Sequence, residues 1–140
     1  MKQAPSALKY RKLHKPSKSF LEIVEQKNFY PQEGLYALKC LQPGRLTWKQ
    51  IEAGRKSIRR SVHKDGKIYI KVFPYASLTK RPVGVRMGKG KGSHHVWVCP
   101  VKAGHILFEL KGLKEQTAVL ALKLAADKMP FRCSVIKLTY

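Results

Sequence analysis

The sequence has little acid. Only 8 Asp and Glu stand among 140 residues, against 29 Lys and Arg, and the formal charge is +21. The few carboxylates are scattered. Glu52 stands in a cationic helix pattern, where a surface ion pair is its ordinary role. Asp65 belongs to an Asp-Gly turn, and Glu109 and Glu115 flank a turn and a helix start. No close pair suits glycosidase or two-metal chemistry. The three cysteines, Cys40, Cys99 and Cys133, form no CxxC pair, which excludes the usual zinc spacings and fits small thiols in a reducing compartment. No apolar run approaches the roughly 18 residues a membrane span requires. The first twenty residues contain no apolar core of a secretory signal. Ser57, Ser61 and Ser93 lack a GxSxG setting. With no catalytic constellation, neither an enzyme nor a cofactor is expected.

What is present is positive charge, distributed unevenly. Residues 1–18 hold six basic and no acidic groups, and residues 44–92 hold fourteen basic and two acidic ones. Residues 19–43 are nearly neutral, with two basic and three acidic groups. A body this small carrying +21 repels itself unless a polyanion neutralises it, and nucleic acid comes before an anionic membrane. At 44% hydrophobic residues the chain has material for one core, as its length allows.

Periodicity predicts a β-α-β-loop-β-β-α-β order. Leu35 to Leu41 reads as a strand, broken by Pro43-Gly44. Thr47 followed by Gln50 is a capping box that starts a helix running to about Lys64. Trp48, Ile51, Ile58 and Val62 share one stripe of it; Lys49, Lys56, Arg60 and Lys64 lie on another face. Lys67 to Phe73 alternates as a strand. Pro74 to Gly92 reads as a long irregular loop, and such loops inside compact domains are usually functional. Val96 to Val101 and His105 to Leu110 read as a hairpin turning at Ala103-Gly104. Glu115 to Lys128 is a second helix, stopped by Pro130, and Phe131 to Thr139 a closing strand. The expected fold class is α+β: two helices packed on a mixed, mostly antiparallel sheet, an α/β sandwich with a basic N-terminal arm. The division is a basic arm and extension over residues 1–34 and one domain over 35–140, with a functional loop at 74–92.

The sharpest motif is Val85 to Gly92, VRMGKGKG. Glycine brings backbone N–H groups close to phosphate oxygens and permits positive φ, and lysine between glycines adds charge with little bulk. It is not a P-loop, since Lys89 stands where GxxxxGK[ST] counted from Gly84 demands glycine, and it does not match GxGxxG. His94 and His95 point to opposite faces of a strand and cannot readily chelate one metal. Tyr10, Tyr30, Tyr69, Tyr75 and Trp97 could stack on bases; core packing is the ordinary role of Trp48 and Trp97.

Together, Tyr10 to Lys15 (YRKLHK), Arg45 to Arg55 (RLTWKQIEAGR), Gly66 to Pro74 (GKIYIKVFP), Arg81 to Gly92 (RPVGVRMGKGKG) and Trp97-Val98, in that order, resemble the bacterial-type large-subunit ribosomal protein L-sixteen family, including its organellar members. The similarity runs from about Lys9 to the end, except for a divergent stretch from Pro16 to Tyr36. The resemblance implies a structural protein of the large subunit, bound to large-subunit rRNA near the base of the central protuberance. 5S rRNA, tRNA on its aminoacyl path and neighbouring ribosomal proteins are the further partners, with no membrane; a free-standing RNA-binding or RNA-modifying protein is the alternative. The RNA-binding residues it implies, with the basic helix face, are Arg11, Lys12, His14, Lys15, Lys49, Lys56, Arg59, Arg60, Lys64, Arg81, Arg86, Gly88, Lys89, Gly90, Lys91 and Gly92. Arg86 matches the arginine hydroxylated in some bacterial members. Because YRKLHK begins about where mature members have it, the arm reads as native rather than as a cleavable presequence. The divergent arm points to a mitochondrion-encoded protein, with plastid and bacterial origins as alternatives.

Overall fold

The computed structural model describes residues 4–6, 8–15, 22–62, 66–88 and 90–138. Among these, seven strands and two helices follow in the order β1 (Tyr36–Cys40), β2 (Gly44–Thr47), α1 (Trp48–Val62), β3 (Lys67–Ile70), β4 (Ala76–Lys80), β5 (Ser93–Val101), β6 (Ile106–Lys111), α2 (Glu115–Ala126) and β7 (Cys133–Lys137). They build an α+β fold in which two helices pack against antiparallel sheets.

The strands divide between two sheets, β3-β6-β1-β7 and β2-β5-β4. Every pairing among the described residues is antiparallel, so the parallel component expected of a mixed sheet is not found there. The hairpin expected of β5 and β6 is not formed either. The Ala103-Gly104 turn exists, but its two arms enter different sheets. Cys40 holds both sides of the turn: Gly104 N–H donates to the Cys40 carbonyl at 2.7 Å, and Cys40 N–H donates to the His105 carbonyl at 2.9 Å. The chain leaving the turn is thereby captured by β1. A further difference is β4, which lies within the segment read as irregular; the loop proper spans 81–92.

The capping box at Thr47 is present. Thr47 N–H donates to Gln50 Oε1 at 2.9 Å, and Gln50 N–H donates to Thr47 Oγ1 at 3.4 Å. Helix α1 buries Ile51, Gly54, Ile58 and Val62, while Trp48 of the expected stripe is half-buried. A Cβ on Gly54 would lie 2.8 Å from Met129 Cε and 3.1 Å from the Phe108 ring, so glycine sets how closely α1 approaches the segment after α2 and the sheet. Helix α1 meets β2 and β5 of one sheet and β3 of the other, and so joins both into one core. Phe108, Leu38, Leu46, Ile51, Ile58, Leu110 and Leu122 are fully buried there.

The near-neutral stretch is tied down from Glu25 onward as a strap across the opposite face of the four-stranded sheet, beginning with Glu25 N–H, which donates to the Ala103 carbonyl at 2.8 Å. Glu109 is its anchor. Flanked in β6 by the core residues Phe108 and Leu110, it points to that face by strand alternation. Its carboxylate, only 1% exposed, accepts the N–H groups of Gln32, Glu33 and Gly34 at 3.2, 2.8 and 2.9 Å, and Lys71 Nζ lies 3.7 Å away. Lys39 Nζ sits 3.1 Å from the Phe29 ring centroid, a cation–π contact.

Candidate nucleic-acid interface

The two basic segments that are far apart in the sequence meet in space. Lys12 Nζ donates to the Lys91 carbonyl at 3.1 Å, and Lys91 Nζ donates to the Leu13 carbonyl at 2.6 Å. The arm thus lies along the base of the Gly-Lys loop. Behind the arm is a cleft of about 340 Å³ lined by Ala4, Pro5, Ser6, Leu8, Arg11, His94 and Trp97. The His94 and Trp97 rings lie 4.5 Å apart at 40°, and His94 Nδ1 shares a hydrogen bond with Ser77 Oγ at 2.7 Å.

The loop is closed at its base and open at its tip. Arg81 Nη1 reaches Met87 Sδ at 3.1 Å and Nη2 donates to the Gly88 carbonyl at 3.4 Å. Gly88 and Gly90 take φ of 110° and 80°, a region that costs an L side chain roughly 1–2 kcal/mol. A Cβ on either would meet nothing within 4 Å, so the chain's own backbone path requires these glycines, and the space beside them is free for a ligand. Gly92 differs: a Cβ there would stand 2.6 Å from the Lys80 carbonyl oxygen. Val83 and Met87 project from the loop at 97% and 91% exposure.

Of the residues singled out by sequence, Arg11, Lys12, His14, Lys15, Arg81, Arg86, Gly88, Gly90 and Lys91 are exposed and Gly92 is half-buried, on the arm and loop. Lys49, Lys56, Arg59 and Arg60 are exposed on α1. They make no side-chain hydrogen bond or ion pair with other described residues, and they belong to the helix rather than to the arm or loop. Lys64 and Lys89 lie outside the described residues. Glu52 forms the expected helix-surface ion pair: Arg55 donates to it through Nε at 2.9 Å and Nη2 at 2.6 Å, which holds the Glu52 carboxyl below its ordinary range. Arg45, at the start of β2, carries no binding role in the sequence pattern; its Nε is buried with no hydrogen-bond partner among the described residues. Tyr10 and Tyr75 are exposed, and Tyr69 and Trp97 half-buried.

Among the described residues, no three His, Cys, Asp or Glu side chains gather to hold a metal ion, and no helix is long and apolar enough to cross a membrane. The arrangement is one of exposed cations, open glycine backbone and aromatic rings, which matches phosphates and bases.

Comparison with known proteins agrees. Residues 5–136 match the family described as Ribosomal protein L16p/L10e. The chain is 45% identical over 135 residues to the large ribosomal subunit protein uL16 of Psychrobacter arcticus, covering 96% of both chains. It is 44% identical over 128 residues to that of Buchnera aphidicola subsp. Cinara cedri, covering 91% of both, and 40% identical over 134 residues to that of Leptospira biflexa, covering 96% of both. With the fold, the cationic loop and the near full-length match in hand, the chain belongs to the L16p/L10e family of ribosomal proteins.

Proposed function

We propose that this protein is a structural, non-enzymatic component of the large ribosomal subunit that binds large-subunit rRNA through two cationic surfaces. The first is the arm and loop: Arg11, Lys12, His14, Lys15, Arg81, Arg86, Lys89 and Lys91, with Gly88, Gly90 and Gly92 keeping the backbone slim. The second is the outer face of α1, with Lys49, Lys56, Arg59 and Arg60, to which the sequence adds Lys64 just beyond the helix. The observation that carries this reading is the exchange of hydrogen bonds between Lys12, Leu13 and Lys91, which merges two charged segments into one surface. Phosphate contacts fix position, and RNA shape rather than sequence is read.

The residue-by-residue resemblance of the loop supports a finer placement. The protein sits near the base of the central protuberance, close to 5S rRNA, with the loop beside the aminoacyl-tRNA path. Domain organisation follows: a basic N-terminal arm that threads RNA, a body over 35–140 onto which the strap from Glu25 to Gly34 is tied, and a loop that enters the RNA. The place of work is a ribosome. The relatives of matching length favour a bacterial one; the divergent stretch from Pro16 to Tyr36 favours a mitochondrial one.

The test is incorporation. The Lys89→Ala, Lys91→Ala protein should stay folded by circular dichroism yet co-sediment poorly with large subunits, and high salt should release the wild type. Normal incorporation of that variant removes the loop from the interface.

A further inference from the structure

We infer that Cys40 and Cys133 form a cross-strand dithiol that a small anionic disulfide converts into an intramolecular disulfide, stapling the last strand to β1. The placement follows from register. Cys40 lies directly opposite Cys133 in the β1–β7 ladder, so both side chains emerge on one face. That face is the core side: Cys40 is part of the core cluster and Cys133 packs against it.

The ladder's phase matters as well. Leu41 N–H donates to the Arg132 carbonyl at 2.9 Å, and Leu138 N–H to the Leu35 carbonyl at 2.8 Å. Leu41/Arg132 and Leu35/Leu138 are therefore hydrogen-bonded pairs. Alternation makes Cys40/Cys133 a non-hydrogen-bonded pair, in which Cα atoms stand about 4.5 Å apart and side chains are closest. A disulfide accepts Cα separations of roughly 4.4–6.8 Å, so the bond needs side-chain rotation rather than strand movement. Cys99 is excluded as a partner by topology, because it lies in β5 of the other sheet, opposite Leu46.

Access is asymmetric. Cys40 is fully buried. Cys133 is half-buried and lines an open groove of about 480 Å³ between α2 and β7, with Glu115, Val119, Lys123 and Lys137 along it; Lys137 is paired with Glu115 at 2.7 Å. Lys123 is the cation along that groove that no carboxylate among the described residues pairs, and a disulfide bearing carboxylates, such as oxidised glutathione, suits it. The Cys133 thiol loses its proton to solvent. Its thiolate attacks one sulfur of the reagent and expels a first thiolate, which takes up a proton. Cys40, deprotonated in turn, attacks Cys133 Sγ in the mixed disulfide and expels the second thiolate. Two protein thiols lose two electrons, and one reagent disulfide becomes two thiols. Burial raises Cys40 to about 11 and Cys133 to about 12, so the dithiol is the resting form at neutral pH and closure accelerates with alkali.

The experiment incubates the full-length folded chain with oxidised glutathione at about pH 9, then blocks free thiols in denaturant and maps peptides without reduction. The expected product is a monomer carrying a Cys40–Cys133 cross-linked peptide, with Cys99 alkylated and a melting temperature above that of the reduced protein. Cys40→Ser should stop at a glutathione adduct on Cys133, and Cys99→Ser should still close. A wild-type chain that stops at the adduct, joins Cys99, or cross-links only between molecules overturns the inference.

Discussion

Lys12 and Lys91, 79 positions apart, hold opposite sides of one seam: the ammonium of Lys12 caps the carbonyl of Lys91, and the ammonium of Lys91 caps the carbonyl next to Lys12, that of Leu13. Two like charges are brought side by side because each finds a backbone acceptor. This close spacing is stable in isolation only as long as both carbonyls are held, and it becomes favourable once phosphates arrive.

Releasing that seam should free the arm. In Lys91→Ala, trypsin cleavage at Arg11 and Lys12 should accelerate several-fold in the RNA-free protein, while cleavage within α1 stays unchanged. Equal arm cleavage rates in wild type and variant would show that the seam does not restrain the arm.

Salt dependence separates cations that touch phosphate from those that do not. Replacing Arg86 and Lys91 together by alanine should lower the magnitude of the slope of log affinity against log salt by about 1.4 on single-stranded segments, at roughly 0.7 for each phosphate no longer neutralised. An RNA-binding titration over several salt concentrations measures it; an unaltered slope would place both residues off the phosphates.

Glu109 should be costly to remove. Glu109→Ala leaves three strap N–H groups without their shared acceptor, that of Gly34 buried and those of Gln32 and Glu33 partly so. A loss of about 2–4 kcal/mol is expected from the unsatisfied donors, read as a lower urea midpoint. A drop below about half a kcal/mol, on the same scale, would mean that the strap re-pairs without the carboxylate.

Acid should loosen the strap's start. Burial pushes the Glu25 carboxyl up, but the hydrogen bond to His105, the Lys27 and Asn28 backbone and the His105 charge outweigh it, leaving Glu25 below its ordinary value of 4.5. Its contribution is complete above 4.5 and declines as pH falls through the lower folded value. A Glu25→Gln protein should therefore lose less stability than wild type on acidification below pH 4.5, by thermal melts at graded pH. Parallel curves for the two proteins would contradict this.

Gly54→Ala should report on helix approach. The added carbon would sit 2.8 Å from the flexible Met129 Cε and 3.1 Å from a stiff ring atom of Phe108. Met129 can give way and Phe108 cannot, so about 1–3 kcal/mol should be lost. Recovery in Gly54→Ala with Phe108→Leu would locate the strain at the ring.

What could be read from the sequence was what is decided locally. The Thr47–Gln50 box, the alternation from Lys67 and the second helix, expected from Glu115 and stopped before Pro130, are set by neighbours a few positions away, and each is found close to where it was expected. The strand β2 was not visible because Gly44–Thr47 follows Pro43 and owes its extended form to β5, with Gly44 opposite Val101. The strand β4 was hidden among prolines and glycines and likewise depends on β5. The β5–β6 turn was read correctly as a turn, but its hairpin was not, because Cys40 decides where the chain goes next. The basic residues of the interface were legible as charge; their grouping was not, since the seam between Lys12 and Lys91 leaves no trace at either position.

Helix α1 is packed against both sheets at once, which makes it a ruler. Fifteen residues at roughly 1.5 Å each span about 22 Å, and neither sheet can tilt it independently of the other. Lys49, Lys56 and Arg60 are thus graduations of fixed separation, about 10 Å and then about 6 Å along the axis. An RNA that contacts all three must present its phosphates at those intervals. On the proposed rRNA-binding role, misfolded RNA would meet only one or two of them, and the helix would select correctly packed RNA by geometry, without reading a base.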